Sequence, residues 1–358
     1  MKELQDILKA NREAAGGELG LATLVRVEGH SFRRPGARML MDREGPRLGA
    51  LSGGCLEADV FARWREEPGR PRLLTYDLRN ELDLIWGTGT GCEGVAEILV
   101  ETLDRGAPWL AFLEESFAAR RPGWLHTVLE GPAVGSRRWG PEGAAAPAGG
   151  FMETVLPPIQ LWIFGASDDA KPLARMAREL GWTVGIADHR PAFANPDRFP
   201  EADAVRALQP AVLVPALALD ARSAAVLITH NYAKDLEALR GLLPSGAGYV
   251  GLMGHRLRGA RLLAALEAEG QDFTPAQIIR FHHPVGLDLG AEAPETVALS
   301  ILAEIQAVLA GRRGMPLRER CGAIHGAPSP SPASGRAGLP ADQAQRASGG
   351  IGGAGSRA

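Results

Sequence analysis

The strongest constraint on the fold is an alternation of short apolar runs and helix-like segments in the second half of the chain. Ile159–Phe164 is an apolar run of strand character, Lys171–Leu180 carries apolar residues at helical spacing, and Thr183–Ala187 is apolar again. Alternating strands and helices are typical of a parallel sheet that is covered by helices on both faces. The sequence therefore predicts an α/β fold whose second domain, residues 159–318, is a Rossmann-like, doubly wound parallel sheet.

Polar and glycine residues follow several of these apolar runs. In an open parallel sheet, the residues just past the carboxyl ends of the strands converge on one crevice, which is the expected ligand site. Two roles are open for His230. It either transfers a proton or anchors a ligand in the crevice, or it is a structural residue that ties down the next loop. Asp288 and Glu292 are either ligand groups of the crevice or ordinary loop and cap residues. The other residues expected at the crevice are Gly165, Asp188, Asn231 and Gly251.

The first turn of this domain matches a dinucleotide-binding fingerprint only in part. Asp188 stands about twenty residues past Gly165, where an acid commonly accepts a ribose hydroxyl. However, Ser167 replaces the second glycine, and the carboxylates of Asp168 and Asp169 repel phosphate. NAD(P) binding is therefore doubtful, and an NAD(P)-dependent oxidoreductase is kept as the alternative function.

A glycine turn with a cysteine marks the first half of the chain. Ser52-Gly53-Gly54-Cys55-Leu56-Glu57 leads from the apolar run Leu48–Leu51 into a helix-like run. Cys55 falls on the first helical turn, where free backbone N–H groups and the helix dipole favour anions and thiolate. The two glycines let an anionic ligand approach the backbone. A tight turn before a small buried cysteine is the alternative for an isolated motif.

A second glycine-rich turn contains Gly91 and Cys92 and precedes the apolar run Val95–Val100. Two such turns in one small domain predict a shared pocket. Arg33, Arg34 and Arg38 lie in a loop before the first of these turns, and they form either a phosphate clamp or a solvated loop. Strands with one or two helices predict a compact α+β domain over residues 1–130.

Composition indicates the character of the remaining segments and excludes some classes of function. Pro/Gly/Ala-rich residues 131–158 predict a linker, and residues 319–358 predict a disordered tail. A net charge of −3 and a pI near 6.3 argue against nucleic-acid partners. The sequence contains neither an apolar run of the roughly 18–20 residues that a membrane span needs nor a signal peptide at Met1–Gly17, so a cytoplasmic location is expected. With three cysteines, a disulfide framework is disfavoured.

Seven segments carry a family resemblance when they are taken together and in this order. They are Gly36-Ala37-Arg38, Ser52-Gly53-Gly54-Cys55-Leu56-Glu57, Gly91-Cys92-Glu93-Gly94, Asp188-His189-Arg190-Pro191, Thr229-His230-Asn231-Tyr232, Tyr249-Val250-Gly251-Leu252, and the run from Gly286 to Glu295. They resemble the signature segments of the XdhC/CoxI family, accessory proteins of molybdenum hydroxylases such as xanthine dehydrogenase and aerobic carbon monoxide dehydrogenase. Gly165-Ala166-Ser167-Asp168 and Gly91-Cys92-Glu93-Gly94 depart from G-A-G-H and G-C-G-G, which many members have.

The resemblance implies an N-terminal XdhC/CoxI domain and a non-catalytic chaperone role. Such a chaperone binds molybdenum cofactor, as molybdopterin or its cytidine dinucleotide form, and passes it to an apo molybdenum hydroxylase. It also protects the cofactor while a cysteine desulfurase-type donor supplies the sulfido ligand. We hypothesise that Cys55 and Cys92 lie near the molybdenum or its sulfur, with the loop arginines at the phosphate. A homodimer is expected.

Overall fold

A computed structural model describes residues 2–13, 16–29, 31, 33–78 and 94–320 of the chain. Its first sheet is antiparallel, with five strands in the order β3-β2-β1-β5-β4. The elements of this part are α1 (Lys2–Glu13), β1 (Gly20–Gly29), β2 (Arg38–Asp42), β3 (Gly45–Gly49), α2 (Glu57–Glu66), β4 (Arg72–Asp77) and β5 (Gly94–Thr102).

The two faces of the first sheet carry different helices. Side chains alternate along a strand, so neighbouring residues of β2 point to opposite faces. Leu40 joins the hydrophobic cluster that contains Ile7 and Leu8 of α1. Met39 and Met41 join the cluster that contains Val60 and Trp64 of α2. Helices α1 and α2 therefore cover opposite faces of the sheet.

The segment predicted to be a linker is folded in the structure. After α3 (Pro108–Ala118), the strands β6 (Gly123–Thr127), β7 (Arg137–Pro141) and β8 (Phe151–Val155) form a second antiparallel sheet, in the order β7-β6-β8. Both β7 and β8 lie within residues 131–158, and the side chains of Phe151 and Val155 are buried. The prediction was wrong because these strands are stabilised by pairing with β6, outside the segment, which local composition does not reveal.

The third sheet confirms the Rossmann-like prediction. Its six strands pair in parallel in the order β11-β10-β9-β12-β13-β14, the arrangement of a doubly wound fold. The elements are β9 (Gln160–Phe164), α4 (Ala170–Glu179), β10 (Thr183–Asp188), β11 (Ala204–Ala207), α5 (Pro210–Ala216), β12 (Ser223–Leu227), α6 (Tyr232–Leu242), β13 (Tyr249–Leu252), α7 (Arg256–Ala268), α8 (Pro275–Ile278), β14 (Phe281–His282) and α9 (Pro294–Leu309).

Both faces of this sheet are buried, as its continuous apolar strands require. Leu161 and Ile163 pack in the cluster that includes α4 and α9, whereas Trp162 and Phe164 pack in the cluster that includes α5, α6 and α7. The strand order reverses between β9 and β12, so the switch point of the fold lies beyond Phe164.

Arg120 ties the part of the chain before residue 156 to the parallel-sheet part. Its guanidinium donates Nε to Asp220 Oδ2 at 2.8 Å and Nη2 to Asp220 Oδ1 at 2.9 Å. It also donates Nη1 to the carbonyl of Pro158 at 3.0 Å, and Arg222 Nε donates to the carbonyl of Pro157 at 2.7 Å. The connection between the two parts is therefore held by arginines on both sides.

Among the described residues, no helix has the length and apolar character that a membrane crossing requires.

Candidate functional site

The turn between β3 and α2 is closed by the carboxylate of Glu57. Its Oε1 accepts the N–H groups of Leu51 at 3.0 Å and Ser52 at 2.8 Å. Its Oε2 accepts the Ser52 hydroxyl at 2.7 Å and the Leu56 N–H at 3.1 Å. Burial raises the pKa of Glu57, but the hydrogen bonds from Ser52 and the backbone outweigh it and leave the pKa below its ordinary value. Glu57 is therefore an internal anion of the turn.

Cys55 lies at the edge of this turn and is only partly buried. Its Sγ donates to Ser52 Oγ at 3.3 Å, and its side chain packs on the cluster between the sheet and α2. Among the described residues, no atom lies within 4 Å of a Cβ built on Gly53 or Gly54, and Gly54 has a φ of 113°. Among the described residues, the turn is therefore open at its two glycines, and the partly buried thiol differs from the alternative of a small buried cysteine.

Topology brings several of the predicted segments to one end of the first sheet. Gly49, which leads into the turn, lies against the carbonyl of Arg38. At the same end, Gly29 pairs with Gly94, and Leu78 N–H donates to Gly94 O at 2.8 Å. The flanks of residues 79–93 are thus close to the end of β1. Gly91 and Cys92 lie outside the described residues, so their place beside Cys55 stays a prediction.

The loop arginines do not face the turn. Arg38 is buried and donates Nη2 to Glu153 Oε2 at 2.5 Å, and Arg33 forms an ion pair with Glu3. These contacts lie on the α1 face of the sheet, opposite the α2 face on which Cys55 packs. Arg34 is exposed and has no ion-pair partner among the described residues. The structure therefore separates the arginines from Cys55, and Arg38 has a structural partner in place of a phosphate.

At the strand-end crevice, Gly165 forms the tight turn that the sequence predicts. Its φ is 115°, and a Cβ there would overlap the carbonyl of Ile228 and lie 2.9 Å from Thr229 N. The next residue, Ala166, donates its N–H to Asp188 Oδ2 at 2.9 Å. The turn is therefore pressed against the end of β12 and tied to the end of β10.

Asp188 is buried and its carboxylate is fully engaged. Arg190 donates Nε to Oδ1 at 2.9 Å, Nη2 to Oδ2 at 2.8 Å, and its own N–H to Oδ1 at 2.9 Å. Burial raises the pKa of Asp188, but the Arg190 and Ala166 hydrogen bonds prevail and lower it to about 2. A ribose hydroxyl would have to displace Arg190, which the sequence prediction had not paired with Asp188.

His230 and Asn231 lie where β12 ends, as predicted, but each has a local role. His230 adopts a left-handed φ of 54°, and its exposed ring places Nε2 3.3 Å from Asp169 Oδ2. Asn231 caps α6 by accepting the Lys234 N–H at 3.2 Å. The residue that sequence reasoning missed here is Asp235, which accepts the Thr229 hydroxyl at 2.6 Å. It also pairs with Arg258, 23 positions away, which no local pattern signals.

The three remaining predicted residues are spread apart. Gly251 lies inside β13, where a Cβ would meet Tyr249 Cε1 at 2.8 Å, so it was wrong to place this glycine past the strand end. Asp288 is exposed in a loop. Glu292 lines a cavity of about 210 Å³ at the switch point, together with Asp169 and the side chains of Leu173, Met253 and Ile301. The cavity therefore has apolar walls and two carboxylates.

The described residues contain no cluster of three or more His, Cys, Asp or Glu side chains that would hold a metal ion.

The turn after β9 is bound by Arg198, which donates to Ala166 O at 2.9 Å and to Asp168 Oδ1 at 3.0 Å. Ser167 Oγ is buried and has no hydrogen-bond partner among the described residues. Ser167 stands where a fingerprint glycine would bring the backbone to a pyrophosphate, and the nearby arginines are already paired with protein groups.

Comparison with known proteins gives consistent matches along the chain. Residues 161–305 match the model of the XdhC Rossmann domain, and residues 13–77 match that of the XdhC and CoxI family. The chain is 31% identical to a probable xanthine dehydrogenase subunit of Bacillus subtilis (strain 168), over 80% of this chain and 92% of that protein.

Two further proteins are similar to the chain. It is 25% identical to the molybdenum cofactor insertion chaperone PaoD of Escherichia coli (strain K12), over 80% of this chain and 82% of that protein. It also matches the crystal structure of a xanthine dehydrogenase from Bacillus halodurans with a TM-score of 0.73 and 28% identity, covering 87% of this chain and 97% of that one.

Proposed function

Since the chain belongs to the XdhC and CoxI family, we propose that it binds molybdenum cofactor and inserts it into an apo molybdenum hydroxylase of the xanthine or carbon monoxide dehydrogenase type. Both family models and the relative at 31% identity confirm the resemblance carried by the sequence motifs. The relative PaoD is named a molybdenum cofactor insertion chaperone, and its alignment covers most of this chain. In this proposal the cofactor is cargo, carried and then released.

The observation that carries the proposal is the half-buried Cys55 thiol beside the open glycine turn. Molybdenum cofactor presents a metal with sulfur ligands at one end and a phosphate at the other. A cysteine sulfur is a soft donor suited to the metal and sulfur end. The Glu57 carboxylate occupies the amides of Leu51, Ser52 and Leu56, so it repels a phosphate from the same place. We therefore assign the metal end of the cargo, and not its phosphate, to Cys55.

Four finer features of the proposed function are carried over from the sequence expectations. A sulfur donor of the cysteine desulfurase type reaches the cargo at the end of the first sheet, where Cys55 is accessible. Cys92 completes the pocket, and the chain works as a homodimer. The cargo is molybdopterin or its cytidine dinucleotide form.

The strand-end crevice does not favour the oxidoreductase alternative. Its cavity of about 210 Å³ is smaller than the roughly 300–1,000 Å³ of usual cofactor pockets. Asp169 and Glu292 line it, and Asp188 is engaged by Arg190. These carboxylates oppose the pyrophosphate of NAD(P) by charge repulsion.

Cofactor retention tests the role of Cys55. The wild-type chain, Cys55→Ser and Cys321→Ser are purified by gel filtration from a molybdenum-sufficient host. Molybdenum per chain is then measured by mass spectrometry, and pterin by fluorescence after oxidation. We expect Cys55→Ser to retain about tenfold less of both, equivalent to the loss of one good contact, and Cys321→Ser to match the wild type.

The same samples are mixed with an apo molybdenum hydroxylase, whose activity reports insertion. Cofactor content and insertion in Cys55→Ser equal to those of the wild type would remove the thiol from the site. A wild-type chain that holds neither molybdenum nor pterin and activates no hydroxylase would overturn the proposed function itself.

A further inference from the structure

A large cleft lies where the first part of the chain meets the parallel sheet. Its volume is about 840 Å³. Three residues that line it, Ile159, Trp182 and Arg222, directly precede the first residues of strands β9, β10 and β12. The cleft is therefore at the amino ends of the parallel strands, at the opposite end of the sheet from the crevice near Asp188.

The rim of this cleft is positively charged. It carries the side chains of Lys2, Arg33, Arg34 and Arg222, and Glu3 is the single carboxylate that lines it among the described residues. Glu3 is paired with Arg33, and Lys2 is paired with Asp6 at 3.4 Å. Arg34 is exposed and has no ion-pair partner among the described residues. The cleft therefore presents an excess of positive charge, which favours an anionic ligand.

Arg222 is a further cation that lines the cleft. Its Nε donates to the carbonyl of Pro157, but the nearby carboxylate of Asp220 is held by both nitrogens of Arg120. Burial and the charge of Arg120 lower the pKa of Arg222, and the opposing effect of Asp220 does not cancel them. The Arg222 charge is thus under-compensated inside the protein, and an incoming anion would be stabilised by it.

Apolar side chains also line the cleft. They include Leu156, Leu180 and Leu309, and Leu180 is 48% exposed. Leucines and arginines in one cleft suit a ring compound that bears a charged group, and clefts between domains are frequent sites for such ligands.

We propose that this cleft binds a phosphorylated ring compound, with its ring against the leucines and its phosphate or pyrophosphate against Arg34 and Arg222. The cleft opens on the α1 side of the first sheet, whereas Cys55 packs on the α2 side. It is a ligand site separate from the Cys55 turn. A free nucleotide and the phosphate end of a pterin have the same recognition chemistry.

Calorimetric titration of the full chain at low salt tests the proposal with two probes, cytidine monophosphate and inorganic pyrophosphate. We expect saturable binding of both, weakened by added salt. Arg34→Glu and Arg222→Gln should each weaken binding about tenfold or more, because each loses a charged hydrogen bond. Arg261→Glu, an exposed position on α7 away from the cleft, should bind like the wild type.

Arg34 is exposed, so its substitution leaves the fold intact, and thermal unfolding of each variant checks this. Absence of saturable heat with both probes overturns the proposal, as does wild-type affinity in Arg34→Glu. Cofactor content then identifies the source. A loss of cofactor in Arg34→Glu assigns the site to the phosphate of the pterin cargo, and unchanged cofactor with lost nucleotide binding assigns it to a free nucleotide. Neither result depends on Cys55.

Discussion

At the scale of single residues, the carboxylates of Glu57 and Asp188 bind groups of the protein itself. Glu57 closes the turn before α2, and Asp188 joins the ends of β9 and β10 through Ala166 and Arg190. The position of Asp188 was predictable from its spacing to Gly165. Its partner Arg190 was not, because a side chain two residues away competes with a ligand for the same oxygens, and spacing alone cannot decide between them.

Asp188→Asn is expected to lower the free energy of unfolding by about 2 kcal/mol at pH 7, since a pKa lowered from 3.8 to about 2 corresponds to that difference. The folded-state pKa is depressed, so this stabilisation is present above pH 4 and is lost as the pH falls towards 2. Urea unfolding at pH 7 and at pH 3 measures it.

The difference between wild type and Asp188→Asn should therefore shrink at the lower pH. Asp272→Asn, at an exposed aspartate, is the control and should unfold like the wild type. A constant difference between Asp188→Asn and the wild type across this range would mean that the carboxylate is not held in its charged form by Arg190.

At the scale of elements, strand–turn–helix units were predictable where their signals are local. The central parallel strands β9 and β12 are mostly apolar because both faces of the sheet are buried there, and this pattern is visible in Ile159–Phe164. Strands β7 and β8 carry no such pattern, since they depend on pairing with β6. Gly251 looked like a strand end because a glycine commonly stops a strand, but here it makes room for Tyr249 and Val285.

Gly165→Ala tests the turn between β9 and α4. The left-handed φ and the contact with the carbonyl of Ile228 leave no room for a methyl group. We expect a loss on the order of 3 kcal/mol in the free energy of unfolding, from backbone strain together with the displaced strand end. Thermal or urea unfolding measures it.

Gly106→Ala provides the matched control, because its Cβ would lie 3.7 Å from Asp104 Oδ1 and its φ is not left-handed. This variant should be close to neutral. If the two variants lost the same stability, the tight packing of the Gly165 turn against β12 would not be what holds the unit together.

At the scale of the whole molecule, the Arg120–Asp220 ion pair links two parts that differ in sheet type. Arg120 has a left-handed φ of 53°, so replacement by glycine removes the side chain without adding backbone strain. We expect Arg120→Gly to weaken the association of the two parts by about 2 kcal/mol, because Asp220 loses its bidentate partner. Calorimetry should show a separate, earlier transition, and proteolysis near Leu156–Pro158 should be faster.

The neighbouring Arg121 is exposed, and Arg121→Ala is the control that should unfold in the same way as the wild type. One unshifted transition in Arg120→Gly would indicate that apolar packing, and not the arginine, joins the two parts. This contact was beyond sequence reasoning, since Arg120 and Asp220 are 100 positions apart and neither belongs to a recognisable motif.

Because Glu57 already satisfies the amides of its turn, the chain contains a built-in competitor for any negatively charged guest. An anion that bound to these amides would gain only the difference between two sets of hydrogen bonds. The turn therefore has its backbone donors satisfied by the protein itself when no guest is bound.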